Sequence, residues 1–164
     1  MKNARLGFTL IELVVVIVVL GILAVTAMPR LVNLQSDARI AALNGLKGGM
    51  QSAADMVYPL AIGQGLASVS EATITIDGES ITLAYGYPAA FARDTWGILI
   101  ETTFADAIFN TDDPADWYFH NNPSQNWIRF MTKSRKDPSE QCFLLYNEAT
   151  ETTQPSFEIE DSGC

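Results

Sequence analysis

The stretch that decides the reading is Gly7–Val16, GFTLIELVVV. It opens a run from Phe8 to Met28 that is apolar apart from Glu12 and two threonines and holds no Lys or Arg. About 20 such residues match the hydrocarbon thickness of a bilayer. A carboxylate in that setting costs about 2.5–3.5 kcal/mol on insertion scales, so Glu12 calls for a function and for a partner charge. Ahead of the run, MKNARL carries Lys2 and Arg5, and cationic residues before an apolar segment hold that end in the cytoplasm.

Two processing schemes fit these residues. A secretory signal would be cut after the run, and Val25–Ala27, VTA, offers small residues for a cut after Ala27. The other scheme cuts after Gly7 and keeps the apolar helix in the mature chain. The run exceeds the 7–15 residues of an ordinary signal core, and Glu12 has no use in a disposable segment.

Composition sets the remaining bounds. The 164 residues leave room for one domain beyond the apolar start. Aromatic and aliphatic residues continue throughout, so a packed core is expected and global disorder is not. The net charge of −9 argues against electrostatic capture of nucleic acid. Cys142 and Cys164 follow an export segment, for which a disulfide in an oxidising compartment is the natural reading and two unpaired thiols the alternative.

The segment GFTLIELVVVIVVLGILA resembles the N-terminus of type IV pilins and of the related pseudopilins of type II secretion. Within that superfamily, the continuation ILAVTAMPRLVNLQSDARIAALNGLKGGMQSAA is similar to pilins of the mannose-sensitive haemagglutinin (MSHA) type. The resemblance implies that a prepilin peptidase cuts after Gly7 and methylates the new amine of Phe8, and that Glu12 is the family's assembly acid. The amine of Phe8 would lie about one helical turn from Glu12. Within a subunit, or between neighbours in a filament, the two would neutralise each other. Removing one partner of such a buried pair typically costs about 3–5 kcal/mol.

Past Pro29, apolar or small residues recur at Leu31, Leu34, Ala38, Ala41, Gly45, Gly49, Ala53, Met56 and Leu60. This helical spacing predicts a stripe that faces a sheet. Gly21 and Pro29 are the weak points of the helix, read either as a tolerated kink or, following the resemblance, as a place of local unwinding on assembly. Ala61–Ser70 is a loop. Ala72–Tyr85 alternates around Asp77-Gly78, a strong hairpin signal. Asp94–Phe109 is read as a short helix with Asp94 as its cap, although Ile98–Thr103 also suits a strand. DWYFHN, NWIRFMTKS and QCFLLYNEA read as antiparallel strands, and PSFEIEDS as a further one.

Other sites weigh less. Asp106, Asp112, Asp113 and Asp116 are weak calcium candidates, since closely spaced aspartates supply oxygens but follow no defined loop motif; no metal site is assigned and no cofactor is expected. A solitary histidine, His120, excludes a multi-histidine site. Trp117, Tyr118 and Phe119 are read as core, with sugar stacking as the alternative. Asn147–Ser156, inside the cysteine-bounded segment, is a candidate contact surface, the face that pilins typically expose.

The resulting expectation is an α+β chain: a long N-terminal helix packed on a C-terminal antiparallel sheet. Its parts are a leader, 1–7; a transmembrane and assembly half-helix, 8–29; an amphipathic half-helix, 30–60; and a head, 61–164. The resemblance implies a non-enzymatic subunit that polymerises with itself into an adhesive surface filament. Its partners would be the prepilin peptidase, the inner-membrane assembly machinery, the inner membrane before assembly, and glycans on host or environmental surfaces. A pseudopilin is the alternative of the same motif, and a secreted globular binder with an ordinary signal is the alternative of another class.

Overall fold

One helix, α1, runs from Leu10 to Gly63, 54 residues, and its backbone stays helical through Gly21 and Pro29. The computed structural model describes residues 9–109, 113–122 and 126–164, apart from the side chains of 27–33. The chain divides between Ala38 and Arg39 into two compact units.

Within residues 39–164, α1 turns Leu43, Leu46, Met50, Ala53, Val57 and Ala61 inward, all buried. Their spacing of three and four residues is that of one helix face. This corrects the expected stripe. Leu34, Ala41, Gly45, Gly49, Met56 and Leu60 are exposed, and of the residues expected there and described, Ala53 alone is buried. Both sets repeat at helical spacing, but burying a large aliphatic side chain yields about 1.5–3 kcal/mol, and the glycines and alanines of the other set offer little of this. The sheet therefore takes the face with the larger residues.

Two sheets cover that face. The smaller has the order β1 (Ala72–Ile76), β2 (Glu79–Ala84), β3 (Tyr87–Pro88). Its first hairpin turns at Asp77 and Gly78, both at positive φ (50° and 90°), the backbone that a two-residue turn between twisted strands demands. Ile74, Ile81 and Leu83 from this sheet pack with Val57 and Ala61.

The larger sheet has the order β4 (Phe104–Asp106), β5 (Trp117–Asn122), β6 (Trp127–Met131), β7 (Phe143–Asn147), β8 (Ser156–Glu160). Its pairs are antiparallel except β4–β5, which is parallel, so the sheet is mixed where an antiparallel one was expected. Alternation sorts its residues. Ile128, Phe130, Leu144 and Tyr146 pack with α1, whereas Tyr118, Met131 and Phe143 pack on the opposite side. The Tyr146 hydroxyl, buried, donates to the Pro88 carbonyl and so joins the two sheets.

The segment read as a helix over Asp94–Phe109 is shorter and begins earlier. A π-helical turn at Ala92–Trp96 runs into one α-turn, α2, at Gly97–Leu99. Asp94 lies inside the turn and does not cap it; Phe91 holds that position without a side-chain bond. Glu101 ends the element by taking a positive φ of 48°, a conformation uncommon for a non-glycine residue and invisible in a sequence that places a good helix former there.

A disulfide joins Cys142 to Cys164 across 22 positions. Cys142 is buried and Cys164 packs against the main core. Around it, Gly163 approaches Glu140 so closely that a Cβ would collide with the Glu140 carbonyl oxygen. Arg39 of α1 donates to the main-chain oxygen of Cys164 and, through Nε, to Ser134 Oγ at 3.0 Å. The bond thus fixes the residues after β8 beside the helix. A loop of this length is worth about 3 kcal/mol in the chain-entropy account. Cys164→Ser is expected to cost about 2–5 kcal/mol in urea unfolding followed by near-ultraviolet circular dichroism; an unchanged midpoint contradicts this role.

Candidate assembly site

Glu12 sits in the first turn of α1. Its carboxylate oxygen Oε2 accepts from the Thr9 N–H (3.0 Å) and from the Thr9 hydroxyl (2.9 Å), while the Glu12 N–H donates to Thr9 Oγ1 (3.3 Å). This reciprocal arrangement is a capping box: the side chains at the helix start satisfy two N–H groups that have no partner further back in the helix. The Thr-x-x-Glu signal for it stands in the sequence at Thr9–Glu12. Gly7 and Phe8, the expected cleavage and methylation positions, lie outside the described residues.

Beyond the cap, the large aliphatic residues from Leu10 to Val25 are each between 42% and 81% exposed. They point to all sides of the helix, and no described residue covers them. Thr26 turns its hydroxyl back onto the carbonyls of Ile22 (3.3 Å) and Leu23 (3.0 Å) and so adds no unsatisfied polar group to that surface. Among the described residues, no helix is long and apolar enough to cross a membrane; the expected span, 8–29, extends past the described side chains at both ends.

Within residues 39–164, α1 also leaves a face exposed, of a different composition. Ala41, Gly45, Gly49 and Ser52 form a strip of small residues, followed by Met56 and Leu60. A Cβ on Gly45, Gly48 or Gly49 would meet nothing within 4 Å, so these glycines answer no packing need inside the chain. Small residues on a helix face permit close approach of another helix.

The other sequence candidates are spread through the larger sheet and its loops. Asp106 Oδ1 accepts from the N–H groups of Ile108 (2.7 Å) and Phe109 (2.8 Å). Asp116 Oδ2 accepts from Thr103 N–H (3.1 Å), Thr103 Oγ1 (2.7 Å) and Thr102 Oγ1 (3.3 Å). The Asp113 carbonyl accepts from the Tyr118 hydroxyl (2.9 Å), and Asp112 lies outside the described residues. These groups hold turns at the ends of β4 and β5. Among the described residues no cluster of three or more His, Cys, Asp or Glu gathers to hold a metal ion. Tyr118 is buried, Trp117 and Phe119 are half-buried against the main core, and His120 meets the Trp127 ring edge-on at 5.8 Å. In Asn147–Ser156, residues 150–154 are exposed, and Asn147 Nδ2 donates to Ser156 Oγ across the base of the loop (2.9 Å).

Residues 2–28 match the family described as the prokaryotic N-terminal methylation motif. No curated protein and no solved structure matches the chain. The matched segment is a prepilin-type signal of the kind borne by type IV pilins and pseudopilins, and it implies processing by a prepilin peptidase and an assembly machinery of the pilus type.

The turn aspartates give a test of the local geometry. The Thr103 hydroxyl and N–H, bonding the ionised form, hold the Asp116 carboxyl below the usual aspartate range. A lowered native value stabilises the fold above the unfolded-state value, and the contribution is lost as pH falls through the native one. Carboxyl carbon titration by NMR should place Asp116 below the ordinary aspartate midpoint, and Thr103→Val should raise it; an ordinary midpoint in the native chain contradicts the geometry.

Proposed function

We propose that the chain is the major structural subunit of a type IV pilus of the MSHA kind, a surface filament used for attachment. It is stored in the inner membrane through residues 8–29, cut after Gly7, methylated on Phe8, and drawn into the filament by its N-terminal helix. The observation that carries this reading is the all-round exposure of the aliphatic residues from Leu10 to Val25 within the prepilin-type methylation motif matched at 2–28. Each such side chain gains about 1.5–3 kcal/mol when removed from water. Lipid provides that cover before assembly, and the helices of neighbouring subunits provide it afterwards.

The strip Ala41–Gly45–Gly49–Ser52 supports close helix–helix contact in the same polymer. The Cys142–Cys164 disulfide supports the pilus branch over the pseudopilus branch, because the resemblance associates such a late pair with pilins. Local unwinding between Gly21 and Pro29 belongs to assembly in this account.

Glu12 then has two roles that can be separated. As a cap it needs only an acceptor, which glutamine also supplies. As the counter-charge of the Phe8 amine it needs ionisation, and an unpaired charge left in an apolar filament core costs about 3–5 kcal/mol. Glu12→Gln should keep processing and insertion but abolish most filaments, while Thr9→Ala, which removes the cap and keeps the charge, should still assemble. Electron microscopy of sheared surface fractions reads the outcome. Normal filament yield from Glu12→Gln contradicts the charge-pairing account.

A further inference from the structure

The side of the larger sheet turned away from α1 carries an arginine without a counter-charge. One row across its strands reads Ala107, His120, Arg129, Leu145, Glu158. His120 pairs with Arg129, Arg129 with Leu145 and Leu145 with Glu158; Ala107 continues β4 by donating its N–H to the Phe119 carbonyl (2.8 Å). The Arg129 guanidinium lies 4.8 Å from the Trp127 ring and 4.5 Å from the Phe143 ring. Trp127 precedes it by two residues on β6, and Phe143 stands one strand across, one position past the Phe130–Leu144 pair. The rings therefore reach the guanidinium from opposite ends of the strand. Its Nε is buried without an acceptor, and among the described residues the guanidinium makes no hydrogen bond or ion pair. The acids of this face on β8, Glu158 and Glu160, are separated from it by Leu145 and Phe143. Charged groups removed from water are ordinarily paired. A guanidinium already fixed by two rings has given up its rotamer freedom in advance, and what its planar fork lacks is an oxyanion.

The same row leads through His120 to a groove of about 520 Å³, whose walls include Ala107, Ile108, Pro138 and Lys136. Ile108 is half-exposed there, and Lys136 holds its Nζ over the Tyr118 ring at 5.3 Å. Asp137, on the far wall, turns Oδ1 to the N–H (2.8 Å) and hydroxyl (2.7 Å) of Ser139 and so serves its own turn. Strands are about 4.8 Å apart, which puts the groove wall at Ala107 roughly 10 Å from Arg129. An apolar groove beside an unpaired cation complements an anion that carries an apolar body. A carboxylate lies in the plane of a guanidinium and fits between rings that cover its faces, whereas a tetrahedral phosphate projects oxygens out of that plane.

We infer that this face binds a carboxylate with a short apolar body, the carboxylate on the guanidinium of Arg129 and the body over His120 in the groove. The inference does not rest on the filament reading.

The test uses the full chain in a nonionic detergent, near neutral pH and at constant ionic strength. The indole N–H resonance of Trp127, assigned with Trp127→Phe, is followed while sodium hexanoate is added up to about 0.1 M. Hexanoate should shift it saturably with an affinity of about 1–10 mM and leave the resonance of Trp96, on the α1 side, in place. Hexanamide keeps the shape without the charge, and acetate keeps the charge without the body. Both, and inorganic phosphate, should bind at least about tenfold more weakly. Arg129→Lys, which keeps the charge and removes the fork, should weaken hexanoate about tenfold. Ile108→Ser, at an exposed position, should weaken it about fivefold and leave acetate unchanged. The inference is overturned by the absence of a saturable shift with hexanoate, or by hexanamide, acetate or phosphate binding as tightly. Unaltered hexanoate affinity in Arg129→Lys overturns it too; should that variant not fold, unaltered affinity in Ile108→Ser does so. Pilus yield is read separately, so failure of this site and failure of the filament reading are distinguishable.

Discussion

Helix α1 is apolar on more faces than the described residues cover. From Leu43 to Ala61 one face is closed by two sheets. From Leu10 to Val25 no described residue closes any face, and from Ala41 to Leu60 a strip of small and apolar residues stays open beside the buried one. Burial of apolar surface is the dominant favourable term in folding and association, and the proposed pilus subunit would reach its stable state with lipid or with other copies around it. The sheets, the disulfide and the loops keep one side of the helix occupied and the other sides available.

The same logic accounts for where polar groups are tolerated along the exposed run. Thr26 returns its hydroxyl to the carbonyls behind it, and Thr9 and Glu12 satisfy each other and the first turn. A helix start has N–H groups without partners and a partial positive charge, both of which favour a carboxylate there. Glu12 therefore lowers the cost of beginning a helix in an apolar setting before any question of assembly arises. Its charge is a second property, superimposed on the cap, and glutamine separates the two because it preserves one and removes the other.

Much of the fold was legible because local chemistry and tertiary packing agree. Asp77-Gly78 supplies the two positive φ angles of its turn; the strands around Tyr118, Phe130 and Leu144 alternate with the side of the sheet they serve. Where reading failed, a non-local term decided. Periodicity alone found a helical stripe but not which of two stripes the sheet would take, a choice made by side-chain volume. Glu101 closes α2 in a conformation that its propensity opposes, and the parallel pairing of β4 with β5 depends on a connection that no local signal encodes. The capping box, by contrast, was fully present in Thr9–Glu12.

The most direct test of the account is the N-terminal peptide of the chain recovered from the cell surface, measured by mass spectrometry after proteolysis. The account predicts a chain that begins at Phe8 and carries one added methyl group on its amine, with residues 10–25 retained. A mature chain beginning at Met28, without the exposed apolar run, would contradict it.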